Sequence, residues 1–277
     1  MNRKMIFFDI DGTLLPEGST EVPQSTREAL LRAQARGHLL FINTGRTHFN
    51  IDPFIRELNF DGYVCGCGTY IYYRQQQLLA HTIPHRQCVE LVMAMRRCRI
   101  PGFYEENDHI YFDTEATAPE DGRNGKNSTA PGSDILKNAR RLFGTKAYDI
   151  PKDIHDPTFT FDKILAFIQP DSDVLAFTKY SEGFLEFIDR GNQVAEIIPK
   201  GYSKATGIRF LCDYLHIPLS DCYAIGDSTN DLSMLEYVPH SIAMGNSDPG
   251  VKERCSYVTA DVRHDGIYHA LEHFGLI

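Results

Sequence analysis

Apolar residues along this chain follow two rhythms. Short runs at Lys4–Phe8, His38–Ile42, Tyr63-Val64, Cys222–Ile225 and Ser241–Met244 read as strands buried on both faces. Between them, apolar positions recur at helical spacing. Ala29, Leu30 and Ala33 share one face of a helix that Ser25 and Glu28 open as a capping box and Gly37 closes. A helix is predicted over Thr47–Leu58. Another is capped by Ser203 and turns Ile208, Leu211, Cys212 and Leu215 inward, and a last one carries Ile267, Ala270, Leu271 and Phe274. This alternation predicts an α/β fold: a Rossmann-like, doubly wound parallel sheet covered by helices on both faces.

The rhythm changes after the third strand. Tyr70–Tyr73 and Leu78–Ile83 predict a hairpin turning at Arg74–Gln77. Beyond it the pattern predicts a helix over Gln87–Cys98, a strand over Gly102–Asp113 and a helix over Ile135–Phe143. A strand over Asp162–Ile168, a helix over Asp171–Tyr180 and a strand over Gly183–Asp189 follow. Glu115–Asp134, rich in Gly, Pro, Asn, Ser and Thr, reads as a mobile loop. The first rhythm resumes after Ile197-Ile198-Pro199. Residues 1–84 and 192–277 are therefore expected to form one discontinuous core domain around an inserted α+β domain, 85–191.

Composition narrows the partners. A hydrophobic content of 42% and a charged content of 23% are ordinary for a soluble globular protein. The net charge of −9 argues against a nucleic-acid backbone binder, which needs a basic face. It does not exclude a small anionic substrate, because a local cluster of donors overrules the global field. The run Met5–Phe8 is cut by Asp9, and no stretch reaches the roughly 18 apolar residues of a membrane span. No membrane association and a cytoplasmic location are expected. The seven cysteines, with only Cys65 and Cys67 closely spaced, read as reduced thiols.

The chemistry collects at strand ends, where open α/β sheets bind ligands. Asp9-Ile10-Asp11-Gly12-Thr13 follows the first strand, Asn43-Thr44-Gly45-Arg46-Thr47 the second, and Gly226–Asp231 follows Cys222–Ile225. Ser203-Lys204 opens a helix. Alternate residues of an extended strand point the same way, so Asp9 and Asp11 can aim at one target. Converging carboxylates repel one another unless a cation neutralises them. Oxygen donors without nearby His or Cys favour Mg²⁺. A lysine and a threonine hydroxyl suit the remaining oxygens of a phosphate. The set is suited to moving a phosphoryl group. Arg46 has two readings, a substrate contact or an ion pair with a neighbouring acid.

Asp9–Thr13, Thr44, Lys204 and Gly226–Asp231, in this order, resemble the four motifs of the haloacid dehalogenase superfamily. The insertion between the second and third motifs resembles that of the Cof-type phosphatases with a C2-type cap. Met244-Gly245-Asn246 and Asp265-Gly266-Ile267 resemble that subfamily's closing segments. The resemblance implies that Asp9 is the nucleophile, forming an aspartyl-phosphate, and that Asp11 acts first as general acid and then as general base. It implies that Thr44, Gly45 and Lys204 hold the phosphoryl group, with Asn230 orienting Lys204 or a phosphate oxygen. It places Mg²⁺ among Asp9, the backbone carbonyl of Asp11 and Asp227, with Asp231 in or near the metal's shell. The cap would close over the site and select the substrate. Where Cof-type proteins usually read Ser-Asn-Gly, this chain has Cys65-Gly66-Cys67-Gly68-Thr69, so no substrate contact is carried over there.

The function implied is a Mg²⁺-dependent phosphatase of small phosphorylated metabolites, sugar phosphates foremost. A phosphomutase, or a phosphatase of sugar-phosphate synthesis, is the alternative within the superfamily. A phosphometabolite-binding regulatory protein is the alternative from another class.

Overall fold

Residues 3–113, 139–141, 143–191 and 193–277 are described in the computed structural model. The chain divides into two compact units, Met1–Ala80 with Gly201–Ile277, and His81–Lys200.

The first unit is built on eight strands. Their order across the sheet is Tyr257–Val258, His240–Ala243, Cys222–Gly226, Met5–Phe8, Leu39–Asn43, Gly62–Cys65, Tyr70–Tyr73 and Gln76–Ala80. The first six run parallel and the last two form an antiparallel extension. Met5–Phe8 lies centrally and is fully buried because its alternate side chains feed two cores. Ile6 and Phe8 join Leu40 and Ile42 beneath the helices Gln24–Ala35 and Gly266–His273. Met5 and Phe7 join Phe41 and Ala224 beneath the helix Lys204–Leu215, which contributes Ile208 and Leu211. Each phenylalanine so buried contributes roughly 1.5–3 kcal/mol relative to exposure. The doubly wound sheet expected from the sequence is present.

Local differences have identifiable causes. The first helix starts at Gln24, directly after Pro23, so Ser25 lies inside the first turn and does not cap it. The expected helix over Thr47–Leu58 is broken into a 3₁₀ turn, His48–Asn50, and a short helix, Pro53–Arg56. Pro53 holds the preceding Asp52 in an extended conformation, with ψ 145°, which ends one element and starts the next. The hairpin turns at Arg74 and Gln75, both with positive φ, rather than over Arg74–Gln77.

The second unit is a six-stranded sheet in the order Leu185–Asp189, Val194–Pro199, Lys163–Phe167, Gly102–Glu105, Ile110–Phe112, Ala147–Asp149. Its pairings are antiparallel except the last. The helices His85–Arg97 and Val174–Ser181 supply Leu91, Val92, Met95 and Phe177 to its core. The expected single strand over Gly102–Asp113 is a hairpin, closed where Glu106 N–H donates to His109 O at 2.9 Å. The intervening Asn107 and Asp108 favour a turn. Val194–Pro199, where the sequence pattern was expected to return to the first domain, pairs instead inside this sheet. The expected loop over Glu115–Asp134 lies outside the described residues, as does much of the expected helix over Ile135–Phe143.

The sheet also buries an ion network. Lys163 Nζ donates to Glu196 Oε1 at 2.5 Å and lies 3.4 Å from Glu105, while Arg190 reaches Glu196 at 2.9 Å. Burial alone would raise Glu196, but Lys163 and Arg190 bring it down to about 2. Among the described residues, no helix is long and apolar enough to cross a membrane.

Candidate active site

Parallel pairing brings the polar segments together. Asp9 follows the central strand and donates its N–H to Ile225 O at 3.1 Å. Thr44 follows Leu39–Asn43, its N–H bonded to Val64 O at 2.9 Å. Asp227 follows Cys222–Gly226, and Lys204 is the first residue of its helix. Ser203 caps that helix by accepting from Thr206 N–H, and the Thr206 hydroxyl accepts from Ser203 N–H in return. Strand ends and one helix start therefore meet at one edge of the sheet.

Lys204 is almost fully buried and donates to Asp9 Oδ1 at 2.6 Å and to Asp231 Oδ1. Asp231 Oδ2 accepts from the N–H groups of Asp227, at 2.9 Å, and Ser228, at 3.1 Å. Both Asp231 oxygens are thus engaged by the protein itself. Asp227 Oδ1 accepts from the Thr13 hydroxyl at 3.0 Å. Carboxylate oxygens of Asp9, Asp227 and Asp231 lie within 4.8 Å of one another.

Electrostatics follow from this crowding. Burial, with the nearby charge of Asp231, raises Asp9 to about 7 and Asp227 to about 8. Burial works against the Lys204 ammonium, yet Asp231 and Asp9 hold it well above its usual range. The excess of negative charge over one lysine leaves the cluster suited to a further cation. An all-oxygen donor set fits Mg²⁺. Asp9 and Asp227 are the carboxylates with capacity left for it, whereas Asp231 is committed to Lys204 and the backbone.

The remaining expected site residues are distributed less evenly. Gly45 is buried between Thr44 and Arg46. Asn230 Oδ1 accepts from the Ser228 hydroxyl, and it is Asp9 and Asp231 that orient Lys204. Asp11 pairs with Arg46, the ion pair that was one of that arginine's two readings.

Residues that sequence reasoning passed over hold the frame. Asn43 Nδ2 donates to Lys204 O at 3.0 Å, tying the second strand to the lysine's helix. Asn246 Nδ2 donates to Gly12 O at 2.8 Å, and its Oδ1 accepts from Val262 N–H at 3.0 Å. The available signals were the Asn before Thr44 and the Met244-Gly245-Asn246 segment. Gly68, in the segment that departs from the family pattern, has φ +96°, and a Cβ there would run into Ser203 O. That segment therefore serves as a seat for the lysine's helix.

Gly12 is required twice over. Its φ is +76°, and a Cβ would collide with the Asp227 carboxylate. Gly12→Ala is expected to cost about 1–3 kcal/mol from backbone strain alone and to displace Asp227. Thermal denaturation checks this, and an unchanged melting temperature would mean that neither the positive φ nor Asp227 resists the added methyl group.

The chain is similar to known proteins over nearly its whole length. A profile of the family described as haloacid dehalogenase-like hydrolase matches residues 6–271. The 5-amino-6-(5-phospho-D-ribitylamino)uracil phosphatase YwtE of Bacillus subtilis is 28% identical over 97% of each chain. The pyridoxal phosphate phosphatase YbhA of Escherichia coli is 27% identical, covering 96% of this chain and 97% of that one. The solved HAD subclass IIB sugar phosphatase BT4131 superposes with a TM-score of 0.80 at 26% identity, covering 99% of this chain and 100% of the other.

Proposed function

The chain belongs to the haloacid dehalogenase-like hydrolases of the Cof type, and on that premise we propose that it hydrolyses phosphate monoesters of small polar alcohols, sugar phosphates foremost, with Mg²⁺. The family's members named above are phosphoric monoester hydrolases. The observation that carries the reading is the buried Asp9–Lys204–Asp231 chain beside Asp227.

In this reading an Asp9 carboxylate oxygen attacks phosphorus, forming the Asp9–phosphate bond as the bond to the alcohol oxygen breaks. Asp11 gives its proton to the departing alkoxide and then accepts one from the water that hydrolyses the intermediate. Lys204 fixes the Asp9 carboxylate, and it joins the Thr44 hydroxyl and Gly45 in holding the phosphoryl oxygens. Asn230 would add a further phosphate contact. Asp9, Asp227 and the Asp11 carbonyl would hold Mg²⁺, with Asp231 supporting them. When bound, Mg²⁺ supplies charge neutralisation for the attacking carboxylate and the phosphate.

The relatives are named for ester substrates that share a phosphate on a small polar molecule, which is why that class is proposed. The test is phosphate release from a panel of phosphorylated sugars, pyridoxal phosphate and ribityl phosphates, with and without Mg²⁺. Tight binding of panel members without release would favour the binding-protein alternative instead.

Metal binding is expected to release protons. Asp9 and Asp227 titrate near 7 and 8 in the metal-free site, far above the ordinary 3.8. Mg²⁺ needs both ionised, so its apparent affinity is expected to fall as pH falls below 8, by about tenfold per unit for each proton displaced. Stability of the metal-free protein runs the other way. The native state holds protons that the unfolded chain has already released, so stability present at pH 4 is lost as pH rises through 7 to 8. Calorimetry in two buffers of different ionisation enthalpy measures the released protons. Binding at pH 7 with no proton release would count against this ligand pair.

A further inference from the structure

Asp11 does not stand free beside Asp9. Arg46 Nη2 donates to Asp11 Oδ1 at 2.6 Å and Nε donates to Oδ2 at 2.9 Å, so the guanidinium grips both oxygens side-on. The remaining arm of the fork is anchored: Nη1 donates to Asp52 Oδ2 at 2.9 Å and to Asn50 O at 3.2 Å. The same residue's backbone reaches the phosphate side of the site, since Arg46 N–H donates to the Thr44 hydroxyl oxygen at 3.1 Å. Arg46 O accepts from Gly66 N–H at 2.9 Å, which holds this backbone in place.

We propose that Arg46 is a positioning residue for Asp11: anchored by Asp52, it fixes the plane and direction of the carboxyl that serves the leaving group. The proposal rests on the phosphatase reading above. The physical case is geometric. Asp11 lies just past the strand end, and its side chain is 44% exposed, too open for packing to select one rotamer. A planar fork that makes two parallel bonds and is itself tied at its third nitrogen defines that orientation as a single hydrogen bond does not. All three guanidinium nitrogens are used within this Asp11–Arg46–Asp52 chain, so the arginine acts through Asp11.

The experiment uses two substrates and kcat/KM, which reports the step in which the alcohol leaves. An alkyl phosphate needs a proton delivered to its leaving oxygen, whereas p-nitrophenyl phosphate does not. Arg46→Ala is expected to lower kcat/KM about 100-fold for the alkyl ester, within the range of general acid catalysis, and less than about fivefold for the aryl ester. Asp52→Asn, which leaves the Arg46–Asp11 pair in place but frees its anchor, is expected to show the same selectivity at smaller amplitude. It also keeps the test alive should Arg46→Ala fail to fold. Arg46→Lys is expected to restore little, because an ammonium cannot make the fork. Asp11→Asn combined with Arg46→Ala is expected to be no worse than Asp11→Asn alone.

Equal losses for both esters, additive with Asp11→Asn, would make Arg46 a phosphate contact and overturn the proposal. A lowered melting temperature with equal, small kinetic losses would reduce it to a structural pair and also overturn it. Phosphate release that survives Asp9→Asn would overturn the phosphatase reading itself, and this proposal with it.

Discussion

Asp9→Asn is expected to lower Mg²⁺-dependent phosphate release by roughly 10³-fold or more, the scale seen when a nucleophile is removed, while the protein still folds. Asparagine has the shape of aspartate but no anionic oxygen to attack phosphorus. The fold survives because Lys204 keeps its bond to Asp231, and Asp231 keeps the N–H groups of Asp227 and Ser228. Removing the Asp9 charge also relieves repulsion with Asp231, part of what raises the Asp9 carboxyl. The melting temperature should therefore stay within about 4 °C of wild type. Steady-state phosphate release with a melting curve on the same samples decides it. A folded variant with undiminished turnover would remove Asp9 from the nucleophile's role.

Lys204→Met is expected to strike both stability and activity. The lysine is 1% exposed and sits between two buried carboxylates. Methionine fills a similar volume but leaves Asp9 and Asp231 without their cation. Breaking a buried pair in this way typically costs about 3–5 kcal/mol. Asp231 then loses one partner, and the turn Thr229–Asp231, which its other oxygen caps, loses support. Activity is expected to fall with it, because Asp9 loses its orientation. Urea denaturation with and without Mg²⁺ measures the first effect. Added Mg²⁺ should return part of the lost stability, since a cation that binds only the folded state stabilises it by mass action. Stability unchanged from wild type would mean that the two carboxylates are neutral without the lysine.

What the sequence revealed and what it withheld divide along physical lines. The central strand was legible because Met5–Phe8 is buried on both faces and so has no polar alternation. The candidate site was legible because its residues lie at the ends of such strands, where the topology brings them together. Connections between loops were not. The role of Asn43 depends on where the helix of Lys204 comes to rest, and that of Asn246 on the path of Gly12. Neither partner is near in sequence. The capping box at Ser25 failed for a local reason: Pro23 supplied the helix entry first. The second unit was read worst. The polar run Glu105–His109 marks the turn of a hairpin, yet the apolar residues on either side of it read as one continuous strand. Asp231 was placed near the metal, but its commitment to Lys204 and two N–H groups emerges only from the fold.

The central strand has a consequence for how the chain is made. Met5 pairs with Leu39 on one side and with Cys222 on the other. During synthesis the first edge is satisfied early, but the second faces solvent until residues near 226 have left the ribosome. The N–H and C=O groups of that edge stay unpaired for most of translation, the condition under which strands find wrong partners. His81–Lys200 has no such wait, because every strand of its sheet comes from one contiguous stretch. The pairing that brings Asp9 alongside Asp227 is thus among the last contacts this chain can form. A chain truncated before Cys222 lacks both the Asp9–Asp227–Asp231 cluster and the partner of its own central strand.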